Sequence, residues 1–338
     1  MQSLWLLATL SFLVTLILTW LFIALMRRAK LGQHIRDYGP DIHVHKEGTP
    51  TMGGVVILLV LLLASASLYR LRGGFSAEPL LVVLAAVGFG SIGMADDLIK
   101  FFKSRSLGLK ARYKLLLQLI TCALFLLIYT LLVAQYSIRI PFSGTEIELP
   151  QALYVLLAIL VLMGSVNAMN FTDGLDGLAT GTSVIILLAY AVVVGMGAYP
   201  YKGDTDLFQL IVLLIAILLG FLWFNFYPAK VFLGDTGAFA LGGFIGGLAI
   251  LTGTQLFLPI IAVVPVIETL SVIIQVTSFK LFKVRVFKVS PLHHHFEKAA
   301  GIDYKFLLPN TEWPEPTITL RFWIVSAVFG LLGIYAFW

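Results

Sequence analysis

SLWLLATLSFLVTLILTWLFIALM, residues 3–26, contains no charged side chain and is followed at once by Arg27 and Arg28. A helix of roughly 20 apolar residues crosses the hydrocarbon core of a bilayer, and this stretch is long enough to do so. Apolar runs at 51–69, 78–95, 114–134, 151–169, 178–198, 207–226, 233–252, 256–277 and 318–337 repeat the pattern, which predicts ten spans. The composition agrees: 59% of the 338 residues are hydrophobic and 12% charged, with a mean hydropathy of +0.96. Soluble domains are about half apolar and a quarter charged. A segment in lipid must satisfy its own backbone hydrogen bonds, and no alternation of apolar and polar residues suggests a barrel, so the spans are read as helices. The expected fold is an all-α polytopic membrane protein. Nothing in the chain reads as a linker, low-complexity tract or internal repeat, so residues 1–338 are taken as a single integral membrane domain.

The single cysteine, Cys122, lies in an apolar run and supports neither a disulfide framework nor a thiolate metal site. The first apolar segment has no charged residues before it and no small-residue cleavage site, and reads as a retained span rather than a signal peptide. The connections after spans one, three, five, seven and nine hold 18 Lys and Arg, against Arg70, Arg72, Arg139 and Lys202 in the others. The positive-inside rule then places both termini in the periplasm and five loops in the cytoplasm. The net charge of +5 is a topology signal and a match for anionic membrane lipids, with no need for nucleic acid.

Those five connections also carry the unusual polar strings: HVHKEGTPTMGG (43–54), ADDLIKFFKSRSLGLK (95–110), NFTDGLDG (170–177), NFYPAKVFLGDTG (225–237) and PLHHHFEKAAG (291–301). Strings gathered on one face of a membrane scaffold are what a catalytic site needs. Asp96 and Asp97 end the third span, at the negative end of its dipole, where helix capping does not place acids. They are either a surface pair neutralised by Lys100 and Lys103 or oxygen ligands and a base beside phosphate-gripping lysines. The DDxxD pattern is absent because the fifth position is Lys100.

Asp173 and Asp176 face one way if their segment is helical. The plainer reading, an Asp-Gly turn between spans five and six, leaves Asn170 beside it unexplained. Asp235 opens the eighth span, where N-capping and metal binding are both open. His293, His294 and His295 are consecutive and do not share a face, which argues against a zinc triad and leaves diphosphate contact or a structured loop with Glu297. Lys46 is a point charge beside hydroxyls and a Gly-rich helix start, a phosphate-holding arrangement without Walker A spacing. Glu268 lies inside the ninth span, where an acid is either functional or paired with a polar neighbour.

HKEGTPTMGG, ADDLIK, NFTDGLDGLA, FLGDTG and PLHHHFE, in this order along essentially the whole chain, resemble the phospho-N-acetylmuramoyl-pentapeptide transferases of the polyprenyl-phosphate N-acetylhexosamine-1-phosphate transferase superfamily. The resemblance implies a multi-pass transferase of the bacterial inner membrane that works on the cytoplasmic side. It would move phospho-MurNAc-pentapeptide from UDP-MurNAc-pentapeptide to undecaprenyl phosphate, releasing UMP and forming lipid I, the first membrane step of peptidoglycan synthesis. It further implies Mg²⁺ and a homodimer. Carried over residue by residue, Asp235 and Asp173 are metal ligands, and Asp96 and Asp97 complete the acidic cluster. Asp176, Asn225, Phe232 and Gln275 line a nucleoside pocket, while Lys46, Thr51, Asn170, Lys100, His293, His294 and His295 contact the sugar-diphosphate.

Direct attack by the lipid phosphate, with Asp97 positioning it or removing a residual proton, is the favoured chemistry, and a covalent aspartyl-phosphate is the alternative. An apolar groove for the polyprenyl tail, one wall of it the ninth span bent around Pro259 and Pro265, is the expected geometry. The rival readings are a sister transferase with a UDP-GlcNAc donor and, from another class, an ion-coupled transporter, which would place its polar groups at the membrane midplane.

Overall fold

The computed structural model describes residues 2–29, 46, 48–102, 108–195, 205–298 and 304–337. Lys103, Lys202 and the first three residues of the first polar string, 43–45, lie outside them. The chain opens with α1 (Gln2–Arg28), α2 (Gly54–Arg72), α3 (Ala77–Phe102) and α4 (Ala111–Leu132). A short antiparallel pair follows, β1 (Ser137–Arg139) with β2 (Glu146–Glu148), Ser137 opposite Glu148 and Arg139 opposite Glu146. Then come α5 (Gln151–Thr172), α6 (Leu178–Gly195), α7 (Thr205–Asn225), α8 (Gly234–Leu251), α9 (Leu258–Ile261), α10 (Val263–Phe282), α11 (Leu292–Phe296) and α12 (Glu315–Ala336).

Ten of these helices are long and apolar enough to cross a membrane, as expected. Two expected boundaries shift. The third span runs beyond residue 95 to Phe102, so Asp96 and Asp97 stand on its helix as expected and Lys100 stands on it with them. The ninth breaks at Ala262, which has φ −103° and ψ 38° and separates α9 from α10, so the bend falls between Pro259 and Pro265.

The bundle is organised around α8, in which every residue from Thr236 to Leu251 is buried. Its sequence GDTGAFALGGFIGG is rich in small residues. Lipid provides no hydrophobic drive between helices, so close contact of small side chains is what holds them together. At Gly93 of α3, a β-carbon would lie 2.1 Å from the carbonyl oxygen of Asp235, so only a hydrogen fits where α3 crosses the start of α8. Cys122 is buried within α4 as a packing residue.

At the hairpin end, Tyr129 and Tyr154 stack at 5.8 Å and their hydroxyls lie 2.9 Å apart. Tyr154 also donates to Ile250 O at 3.1 Å and accepts from Gln255 Nε2 at 3.0 Å. This polar network closes one end of the bundle, and the polar strings occupy the other. The start of α2, the end of α3, the start of α4, the end of α5 and the starts of α6, α8 and α12 meet there.

Gly93→Ala is expected to cost about 1–3 kcal/mol through overpacking and to lower activity with it. Gly164→Ala, at a position with no described atom within 4 Å, is expected to leave both unchanged. Thermal unfolding of the two variants in detergent checks the pair.

Candidate active site

Asp96, Asp97 and Asp235 each bring a carboxylate oxygen within 4.8 Å of the others. Three acids at that distance repel unless cations lie between them, and two lysines do. Lys100, one turn after Asp96 on α3, reaches Asp96 Oδ2 at 2.7 Å, Asp235 Oδ2 at 3.0 Å and Asp97 Oδ1 at 3.8 Å. Lys114, in the first turn of α4, reaches Asp235 Oδ2 at 2.7 Å and Asp96 Oδ2 at 3.1 Å. The other oxygen of Asp235 accepts from Asn170 Nδ2 at 2.9 Å, and Asp96 Oδ1 accepts from the N–H of Leu109 at 2.6 Å.

Asp97 has a different task. Its Oδ1 accepts from the N–H of Asp235 at 3.2 Å, and its Oδ2 accepts from the N–H of Thr236 at 2.9 Å and from Thr236 Oγ1 at 2.7 Å. These are orphan donors of the first turn of α8. The helix is thus capped from across the bundle, and the question left open for Asp235 resolves against N-capping: no side chain of its own segment caps α8.

Asp173 stands at the end of α5 and receives the N–H of Gly234, whose φ of +73° suits glycine. It belongs beside the cluster but not to the three-carboxylate set. Burial, then the charges of Asp235 and Asp97, push its carboxyl up to about 7 against the pull of Gly234 N–H and Lys100.

Of the two readings of this segment, helix or Asp-Gly turn, the structure has the turn at 173–177, so Asp173 and Asp176 do not share a helical face. Asp176 points away from the cluster to Lys46, whose Nζ lies 2.7 Å from its Oδ1, while its Oδ2 accepts from Ala229 N–H at 2.8 Å. Lys46 also reaches Glu315 at 2.5 Å and lies 5.8 Å from the centre of the Phe232 ring. Burial would lower the Lys46 ammonium, but the carboxylates of Glu315 and Asp176 outweigh it and raise it. The segment around Thr51 is sewn to Phe232 by Phe232 N–H to Pro50 O at 2.8 Å, Gly53 N–H to Phe232 O at 2.9 Å and Gly54 N–H to Leu233 O at 2.9 Å. This pairing connects the Lys46, Asp176 and Glu315 cluster to Asp235, three residues past Phe232. Asn225, buried behind it, accepts from Thr180 Oγ1 at 2.7 Å and donates to Val231 O at 2.9 Å, holding the loop rather than opening onto it.

The three histidines diverge on the single turn of α11. His293 is fully buried, its Nδ1 3.2 Å from Glu268 and its ring against Gly174. Burial lowers its pKa, the Glu268 carboxylate more than compensates, and the net shift is upward. Glu268, read as either functional or paired, is paired. His294 bonds Glu297, and burial with the neighbouring His293 lowers its pKa. His295 Nδ1 accepts from Lys288 N–H at 3.0 Å. Gln275 accepts from Val286 N–H at 3.0 Å and Phe287 N–H at 2.9 Å and donates to Phe287 O at 3.1 Å. Gln275 and His295, expected at the substrate, also bond the backbone of the 286–297 lobe, while His293 is the histidine turned toward the Asp173 turn.

All-oxygen donors of high charge suit a hard divalent cation, so Asp235, Asp96 and Asp97 fit a metal, with Lys100 and Lys114 balancing the charge. Two residues of this site escape sequence reasoning. Lys114 is one of several lysines around α4, and no local signal distinguishes it. Glu315 did leave a signal, an acid between Pro314 and Pro316 immediately before the last span.

The fold and site define a polytopic membrane glycosyl-phosphate transferase, and the profile of Glycosyl transferase family 4 matches residues 79–253. A phospho-N-acetylmuramoyl-pentapeptide-transferase signature matches residues 46–58, from Lys46 into α2. The phospho-N-acetylmuramoyl-pentapeptide-transferase of Geobacillus sp. (strain WCH70) is 45% identical over 96% of this chain and 95% of its own length. That of Desulforamulus reducens is 42% identical over 99% and 96%, and that of Bacillus subtilis 41% over 96% and 95%. The chain belongs to the phospho-N-acetylmuramoyl-pentapeptide-transferase family.

The Asp173 carboxyl has a testable pH signature in metal-free protein. A carboxyl held at about 7 when folded and about 4 when unfolded keeps its proton in the folded state between those values. Stability therefore declines as pH rises through that window. Asp173→Asn should match wild type in thermal unfolding near pH 4 and unfold at a higher temperature near pH 8. Equal melting temperatures at both ends would remove this account of Asp173.

Proposed function

We propose that the protein transfers phospho-N-acetylmuramoyl-pentapeptide from UDP-MurNAc-pentapeptide to undecaprenyl phosphate, releasing UMP and leaving the lipid-linked diphosphate that opens peptidoglycan synthesis. The observation that carries this is the shared stretch of chain from Phe232 to Asp235, which joins the Lys46 and Asp176 ion pair to the aspartate and lysine cluster on one end of a membrane bundle. The first holds the nucleotide half of the donor while the second receives its diphosphate.

A phosphate monoester is largely dianionic at neutral pH, since its second pKa is about 6, so the acceptor needs little help from a base. Its oxygen attacks the phosphorus that bears the sugar, the bridge to the uridylate phosphate breaks, and UMP departs with the bond pair. Lys100 and Lys114 supply cationic contacts for the oxygens that gain charge. Mg²⁺ is the metal this reading implies; Asp235 with Asp96 and Asp97, and with Asp173 alongside, would hold it, and it would supply charge neutralisation on the diphosphate. Both oxygens of Asp97 are occupied by donors at the start of α8. That occupancy favours direct attack over an aspartyl-phosphate on Asp97, and it favours a positioning role over proton removal.

The distribution of Lys and Arg supports an active face turned to the cytoplasm, with both termini on the periplasmic side of the bacterial inner membrane. The reading further includes a single domain over 1–338 and a homodimer. The polyprenyl tail would lie along the exposed apolar face of α10, where Leu270, Ile273, Ile274 and Val276 are uncovered.

Purified protein with undecaprenyl phosphate should release UMP from UDP-MurNAc-pentapeptide only with Mg²⁺, and Asp235→Ala should lower kcat by about a hundredfold or more. Release from UDP-GlcNAc in its place would move the protein to the sister transferases. Ion flux in proteoliposomes without UMP release would favour the transporter.

A further inference from the structure

We infer that Glu315 is a positioning residue for the donor nucleotide, locking Lys46 and the Asp176 turn together from the start of α12. The inference rests on the transfer reaction proposed above. An acid in the first turn of a helix ordinarily interacts with that helix's own N–H groups and dipole. Glu315 stands in that first turn, where no side-chain cap is made. The Oε1 atom instead accepts from Lys46 Nζ at 2.5 Å and from the N–H of Asp176 at 2.8 Å. One turn further along, Thr319 Oγ1 donates to the carbonyl of Asp176 at 3.2 Å. The last span thus grips the Asp176 turn at two points and the Lys46 segment at a third.

All three ionisable groups are at least nine-tenths buried. Two carboxylates around one ammonium in such a place fix the ammonium's direction, because every other orientation leaves a buried charge unpaired. Without Glu315, Lys46 keeps a single partner and can follow Asp176 in more than one rotamer. The start of α12 is itself held from the other side: Trp313 stacks on Phe296 at 4.6 Å and donates its N–H to Phe296 O at 2.9 Å. Glu315 consequently ties the histidine lobe, the Asp176 turn and Lys46 to one point. No reacting atom is within its task, so its effect belongs to donor binding rather than to the chemical step.

The test is steady-state kinetics on the full chain in detergent, varying UDP-MurNAc-pentapeptide and undecaprenyl phosphate separately, for wild type, Glu315→Ala and Glu315→Gln. Glu315→Ala should raise KM for the nucleotide donor about tenfold or more, the size of one lost charged hydrogen bond. The lipid KM should stay unchanged and kcat should change by less than about threefold. Glu315→Gln retains an oxygen that accepts from both Lys46 and the Asp176 N–H and should recover most of the loss. A fall in kcat together with rises in both KM values and a lowered melting temperature would reduce Glu315 to a fold residue and overturn the inference. Unchanged donor KM in Glu315→Ala would overturn it as well. Either result beside an active wild type leaves the transfer reaction standing, whereas a wild type that releases no UMP removes the reaction and the inference together.

Discussion

A helix that begins inside a membrane bundle presents unpaired N–H groups where water is scarce, and in this protein a carboxylate on another helix receives them. Asp97 takes the N–H of Asp235, the N–H of Thr236 and the hydroxyl of Thr236. The contact sets how far α3 slides along α8, and Gly93 lets the two backbones meet there. Because Asp96 and Lys100 are on the same helix as Asp97, and Asp235 is the residue whose N–H is held, one capping interaction brings the remaining acids and the first lysine into register.

The charges that result are balanced locally and in two groups. Around Asp235, three carboxylates face Lys100 and Lys114, a set whose excess of oxygen ligands suits a divalent cation. Around Lys46, Asp176 and Glu315 outnumber one ammonium. A substrate with a uridine end and a diphosphate has two chemically distinct halves, and the two groups are distinct in the same sense. Phe232 and its pairing with 50–53 keep them at a constant separation, since that short stretch of backbone is hydrogen-bonded on both sides.

Much of the architecture was legible in advance. Ten apolar runs, the gathering of the polar strings on one face, the burial of Cys122 and the divergence of three consecutive histidines all follow from helix length, alternation of spans and helical geometry. The family was legible too, since ordered motifs such as FLGDTG and PLHHHFE are specific in combination. Other details were not. The third span was read as ending at 95 because Asp96 and Asp97 look like a boundary, yet their charges are matched by Lys100, Lys114 and the start of α8, and the helix continues. A helix through 170–177 would put Asp173 and Asp176 on one face, but the chain turns there, with Gly174 between them, and the two acids take different partners.

The sequence by itself determined that this is a ten-span membrane protein of a known transferase family, with its unusual polar strings in alternate connections. Only the tertiary structure decided which of those groups work together: Lys114 among several lysines near α4, Glu315 from the far end of the chain, Asp97 as the cap of α8, and Gln275 and His295 as supports of a loop. Spans depend on local hydrophobicity, which can be read along the chain. Charge partners depend on which helices lie side by side and at what height, and that is settled by close packing between segments more than a hundred residues apart, as between Asp97 and Thr236 or Lys46 and Glu315.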